Sequence, residues 1–167
     1  YTFMTLYEKD QVEHYFNLKR TLKEFGDRIP QMNSVEIIDS ALHYCIGKIN
    51  KGHQEFNQEF FDLFDEGLKK GIFIIKGELA TWRFNNMVAA ATKLGKLEWA
   101  ESFIKNYYKY LPAENRDNTY TFNLARVYRI QGKYQDVLRL LQNVEYEDTG
   151  YNLISKAMQL ISYYELG

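Results

Sequence analysis

The side chains best suited to chemistry in this 167-residue chain are few and scattered. Asp10 and His14 stand one helical turn apart with Glu13 beside them, a spacing that could put two metal ligands on one helix face. No distal third ligand follows, so a charged helix surface accounts for the trio and no metal is assigned. Cys45, the only cysteine, needs an imidazole beside it to act as a nucleophile, and His43 two positions earlier projects from a different helix face. Cys45 therefore reads as a small packing residue and His43 as a hydrogen-bonded packing residue. His53, between Gly52 and Gln54 and close to Glu55, reads as a solvated turn residue. Asp62, Asp65 and Glu66 could imitate paired carboxylates, but without a pocket signature they form the solvated face of a helix. There is no glycine-rich phosphate loop, no HExxH, no GxSxG and no CxxC. The expectation is a protein that is not an enzyme and holds no cofactor. A metal-dependent activity centred on His14 is the enzyme-class alternative.

Composition narrows the partners. Hydrophobic residues make up 46% of the chain and charged residues 26%, enough to build one core and cover it. A formal net charge of -1 exerts no long-range pull on phosphate backbones or anionic lipid, which disfavours nucleic acid and a membrane surface as partners. No apolar stretch approaches the ~20 residues of a bilayer span, and no secretory signal is present. One cysteine cannot form an internal disulfide, which suits a reducing, cytoplasmic setting. The first residue is Tyr1 and the chain stops at a turn glycine, so it is expected to be a fragment of a longer protein. Fourteen Tyr and eleven Phe raise the question of a base- or sugar-stacking platform. Most recur at core offsets, as Tyr128, Tyr134 and Tyr163 do, and core packing is the reading.

Stepping through the hydrophobic periodicity gives eight helices: Thr5–Phe25, Ser34–Asn50, Gln54–Lys70, Leu79–Leu94, Leu97–Leu111, Asn115 or Asn118 to Gln131, Tyr134–Val144 and Thr149–Leu166. Gly26–Asn33 is a connector, and Gly71–Glu78 an extended, partly buried one. An internal echo organises the later helices. Around Gly95 and Gly132, 37 residues apart, apolar or small residues match at the same offsets: Met87 with Leu124, Ala91 with Tyr128, Leu97 with Tyr134, Ala100 with Val137, Ile104 with Leu141, Tyr107 with Val144. Two amphipathic helices joined by a glycine turn, and repeated, produce this pattern.

The segment Leu94–Pro112 resembles the tetratricopeptide repeat, with an alanine after the glycine turn and a proline closing the second helix; Ile130–Val144 is similar to a second copy. The best match covers Ala80–Val144, and Tyr163–Gly167 resembles the end of another first helix. The 37-residue step exceeds the family's typical 34, and Val137 stands where a small residue is usual. Gly52 suggests an earlier, degenerate copy, although Lys48 and Asn57 fall at apolar positions. The resemblance implies an all-α fold, a right-handed α-α superhelix of stacked antiparallel helix pairs. It would form a single helical-repeat domain over 1–167, with degenerate pairs in 1–78 and clearer repeats in 79–167.

It further implies a concave face lined by the first helix of each pair. In one copy that face holds Trp82, Asn85, Asn86, Ala89, Thr92 and Lys93; in the next, Thr119, Phe122, Asn123, Arg126, Arg129 and Ile130. Trp82 and Phe122 would anchor apolar side chains, Asn86 and Asn123 would hold an extended backbone, and Arg126 and Arg129 would meet an acidic group. The two arginines are equally suited to solvated ion pairs or links between helices. The implied function is a protein- or peptide-binding scaffold or adaptor whose partner the sequence does not name. Self-association into a homo-oligomer through Thr149–Gly167, or a spacer role, is the first alternative. Recognition of single-stranded RNA would need a basic groove that the net charge does not favour.

Overall fold

The first described helix, α1 (Val12–Phe25), carries Tyr15, Leu18 and Leu22 along one buried stripe, and most of the described helices follow the same logic. The computed structural model describes residues 11–142, 144, 146 and 149–167. The further helices are α2 (Gln31–Asn50), α3 (Phe56–Lys69), α4 (Thr81–Lys93), α5 (Leu97–Tyr107), α6 (Arg116–Ile130), α7 (Tyr134–Leu141) and α8 (Thr149–Leu166). Short 3-10 turns follow α1 at Gly26–Arg28 and α5 at Tyr108–Tyr110. The only strands among the described residues are the two-residue β1 (Ile74–Ile75) and β2 (Glu78–Leu79). The class is all-α, and no described helix is long and apolar enough to cross a membrane. Residues 5–10 of the first expected helix, Asp10 included, lie outside the described residues.

Several boundaries differ from the periodicity. Helix α2 starts at Gln31 rather than Ser34, because Pro30 occupies the N-cap and its carbonyl accepts from the Ser34 amide at 3.0 Å. Ser34 is then a first-turn residue, buried, its hydroxyl directed to the Ile29 carbonyl at 3.3 Å. Helix α7 ends at Leu141, short of Val144. The connector Gly71–Glu78 contains a tight hairpin turn in which both Lys76 and Gly77 have positive φ, the two-residue geometry that matches strand twist.

The chain divides into two compact units, Tyr1–Ile75 and Lys76–Gly167. In the first, α2 packs along α3 and α1 lies against α2. Its centre is aromatic: Tyr15 stacks on Tyr44 at 5.2 Å and meets Phe56 edge-on at 5.7 Å, and Phe64 stacks on Phe73 at 4.6 Å. Cys45 is wholly buried among them, and burial pushes its thiol up to about 12, which removes it as a nucleophile. Lys48 is buried as well, its ammonium 5.4 Å from the Tyr44 ring centre; a long aliphatic stem fills the apolar position that the sequence offered it.

In the second unit α4 packs on α5, α5 on α6, α6 on α7 and α7 on α8, with α4 also touching α6 and α6 touching α8. The echo around the two glycines is present atom for atom. Gly95 (φ 70°) donates to Thr92 O and Lys96 to Ala91 O; Gly132 (φ 72°) donates to Arg129 O and Lys133 to Tyr128 O, each 37 positions on. Both turns close the orphan carbonyls of the preceding helix, and the left-handed φ is what demands glycine. Eight-residue α7 is too short to persist alone and is held by burying Val137 and Leu141.

Candidate functional site

Helices α4, α6 and α8 bring polar side chains to one cavity of about 390 Å³. Its walls are Thr81 and Asn85 of α4, Asn118, Thr119 and Phe122 of α6, Glu114 and Asn115 before α6, Tyr146 of the α7–α8 loop and Tyr151 of α8. The two repeats contribute equivalent positions: Thr81 matches Asn118, and Asn85 matches Phe122, at the same 37-residue step. Spacing of four residues keeps each pair on one helix face, one turn above the other.

The amides are wired together. Asn123 Nδ2 donates to Asn85 Oδ1 at 2.7 Å and to the Thr119 carbonyl at 2.8 Å, and Asn85 Nδ2 donates to the Tyr151 hydroxyl at 2.8 Å. Thr81 donates to Asn115 Oδ1 at 3.2 Å across the cavity wall. Asn123 is 1% exposed and its Oδ1 accepts nothing, a buried acceptor left unsatisfied. The lining is therefore neutral amide and hydroxyl with one carboxylate, Glu114. Such groups can pair with backbone amides or amide side chains.

Two of the eight residues assigned from the sequence line the cavity, Asn85 and Phe122, and Asn123 supports it from behind. Phe122 is not presented to solvent as an anchor. It is 5% exposed, meets Tyr151 edge-on at 4.5 Å and Tyr146 at 5.8 Å, and belongs to a core with Ala125, Val137, Leu141 and Met158. Asn123 is likewise covered and spends its amide donors internally. Trp82 is exposed, with the Arg83 guanidinium 4.8 Å from its ring centre. Asn86 is half-buried and Lys93 exposed, both outside the cavity. Thr119, placed on the concave face, is a lining residue, whereas Ile130 is exposed beyond it. Arg126 and Arg129 are half-buried neighbours; among the described residues neither meets a carboxylate. Burial, then the adjacent Arg129 charge, lowers the Arg126 guanidinium below its ordinary pKa.

No protein-family model, no curated protein and no solved structure matches the chain. The site therefore stands on its own geometry.

Among the described residues no three His, Cys, Asp or Glu side chains are placed to hold a metal ion. His43 is exposed rather than packed, its Nδ1 paired with the Asp39 carbonyl at 2.7 Å, and His53 pairs with Glu55 at 3.3 Å. Tyr163, expected in the core, is exposed.

Proposed function

We propose that residues 76–167 are a tetratricopeptide-like array of stacked antiparallel helix pairs whose role is to bind an extended peptide segment of another protein. Residues 1–75 would be degenerate pairs of the same kind. The observation that carries this reading is the cavity built from equivalent positions of consecutive first helices, lined by Asn85, Asn118, Thr81 and Thr119. A polar group from each of two consecutive first helices, Asn85 on one and Asn118 on the next, suits an extended backbone, which offers a donor and an acceptor at every residue. The unfilled Asn123 acceptor behind Asn85 keeps the network short of a donor, which a bound amide N–H could supply through a shift of Asn85. Arg126 and Arg129, two half-buried guanidiniums close together on α6, suit an acidic residue in the ligand.

Selection of a random peptide library on the intact chain tests this. The reading expects enriched peptides that share Asp or Glu at one position, lose binding to an Asn85→Ala, Asn118→Ala variant, and lose their acidic preference on an Arg126→Ala, Arg129→Ala variant. Enriched peptides indifferent to both variants would refute the site, and no enrichment would refute the function. Circular dichroism checks that each variant remains equally helical.

A further inference from the structure

Helix α8 is inverted relative to the others. It buries Ser155, Met158 and Ser162 and leaves Leu153 (72% exposed), Ile154, Leu160 (71%), Ile161, Tyr163, Tyr164 (83%) and Leu166 open. Large apolar side chains on the outside, with Met158 the one large apolar side chain buried between two serines, describe a face that is finished by another body. Leu153, Ala157, Leu160 and Tyr164 follow one another at spacings of four, three and four, the seam spacing of paired helices. Ile154 and Ile161 flank the seam on one side, Lys156 and Tyr163 on the other. From their exposed fractions the six large side chains of the seam and its flanks, Leu166 lying off this face, offer roughly 700 Å², close to the ~800 Å² that each partner contributes to a standard-size interface.

We propose that this face binds a second copy of the chain, α8 against α8, antiparallel about a two-fold axis. The pattern is self-complementary in that orientation alone. Setting Leu160 against the partner's Ala157 fills a small position with a large one, and the same register sets Leu153 against the partner's Tyr164. Like flanks face each other in an antiparallel pair. Ile154 then meets the partner's Ile161, and the Lys156 ammonium lies beside the partner's Tyr163 ring. A parallel pair would put Ala157 on Ala157 and Leu160 on Leu160, leaving a gap in one layer and crowding in the next. Lys156 and Glu165 are the only charges on the helix, so no like charges oppose in the antiparallel register. The cavity lies elsewhere, reached by Tyr151 from the inward side, and peptide binding is independent of this contact.

Sedimentation equilibrium on the full 167-residue chain at about 50 μM, the range of a moderate interface, is the test. The expected result is twice the 19.9 kDa chain mass, returning to the monomer mass in a Leu160→Glu variant of unchanged helicity. Oxidative cross-linking fixes the orientation: mixing Ala157→Cys chains with Leu160→Cys chains gives the mixed disulfide and little of either homodimer, with wholly buried Cys45 as internal control. A monomer at that concentration, a dimer unaffected by Leu160→Glu, or self-cross-linking of each single variant would overturn the proposal.

Discussion

Replacing Gly67 by alanine sets two effects of opposite sign against each other. In an open helix interior the change stabilises by about 1 kcal/mol. At Gly67, in the last turn of α3, a Cβ would lie 2.5 Å from Phe73 Cε2 and 2.9 Å from Cζ, well inside contact distance. The Phe73 ring is wholly buried and stacked 4.6 Å from Phe64, which is itself 6.2 Å from Phe60, so it cannot turn away without breaking the aromatic row. Overpacking of this kind costs roughly 1–3 kcal/mol, and a lost ring pair about 0.5–1.5 kcal/mol. The steric effect wins, and Gly67→Ala is expected to destabilise by about 1–2 kcal/mol. With Phe73→Ala already in place the obstacle is gone, and the same Gly67→Ala change should stabilise by up to about 1 kcal/mol. Urea unfolding followed by far-UV circular dichroism measures all four proteins, with amide exchange over 56–69 locating the effect. A stabilising Gly67→Ala in the native background, or the same destabilisation in both, would refute the reasoning, because the sign reversal is what the 2.5 Å approach dictates.

Gly132→Ala should cost about 1–2 kcal/mol, since its φ of 72° is left-handed and open space around it offers no compensating contact; urea midpoints give the value. Glu101 accepts from Lys105, Gln131, Lys133 and Tyr128, and the bonds from Lys105 first, then Gln131 and Lys133, hold its carboxyl down to about 2. Its folded pKa lies below its unfolded value of 4.5, so its contribution is complete above about pH 4.5, shrinks below it and is gone once the pH has fallen through about 2; Glu101→Gln should cost about 1 kcal/mol at pH 7 and progressively less as thermal unfolding scans are taken down toward pH 2. Phe122→Ala should cost about 3–5 kcal/mol and raise amide exchange in α7 and α8, because its ring is the floor shared by Tyr146 and Tyr151.

The helix-turn-helix echo was legible because turn chemistry is local: a glycine forced to positive φ and a fixed pair of amide bonds recur wherever the same offsets recur, as at Gly95 and Gly132. The ends of α8 were legible for the same reason, its pattern being uninterrupted from Thr149 to Leu166. What offset counting describes is a face of one helix. It does not say what a later segment lays across that face, and so Phe122 and Asn123 were assigned to an open groove although Tyr146 and Tyr151 cover them. The cavity residues Thr81 and Asn118 sit on the same stripe as Asn85 and Phe122, one turn nearer each helix start. That stripe was available in the sequence, but the pairing of Tyr151 with Asn85 across 66 positions was not. The α2 boundary was missed because Ser34 and Asn33 look like caps, while Pro30 with its fixed φ sets the start.

The central claim is that the α4–α6–α8 cavity receives a peptide. A selected peptide carrying a photoreactive benzophenone, cross-linked to the intact chain and mapped by mass spectrometry, tests it most directly. The account predicts adducts confined to segments around Thr81–Asn85 and Glu114–Arg129 and to Tyr146 and Tyr151. Adducts confined to α5, α7 or residues 11–75 would contradict it.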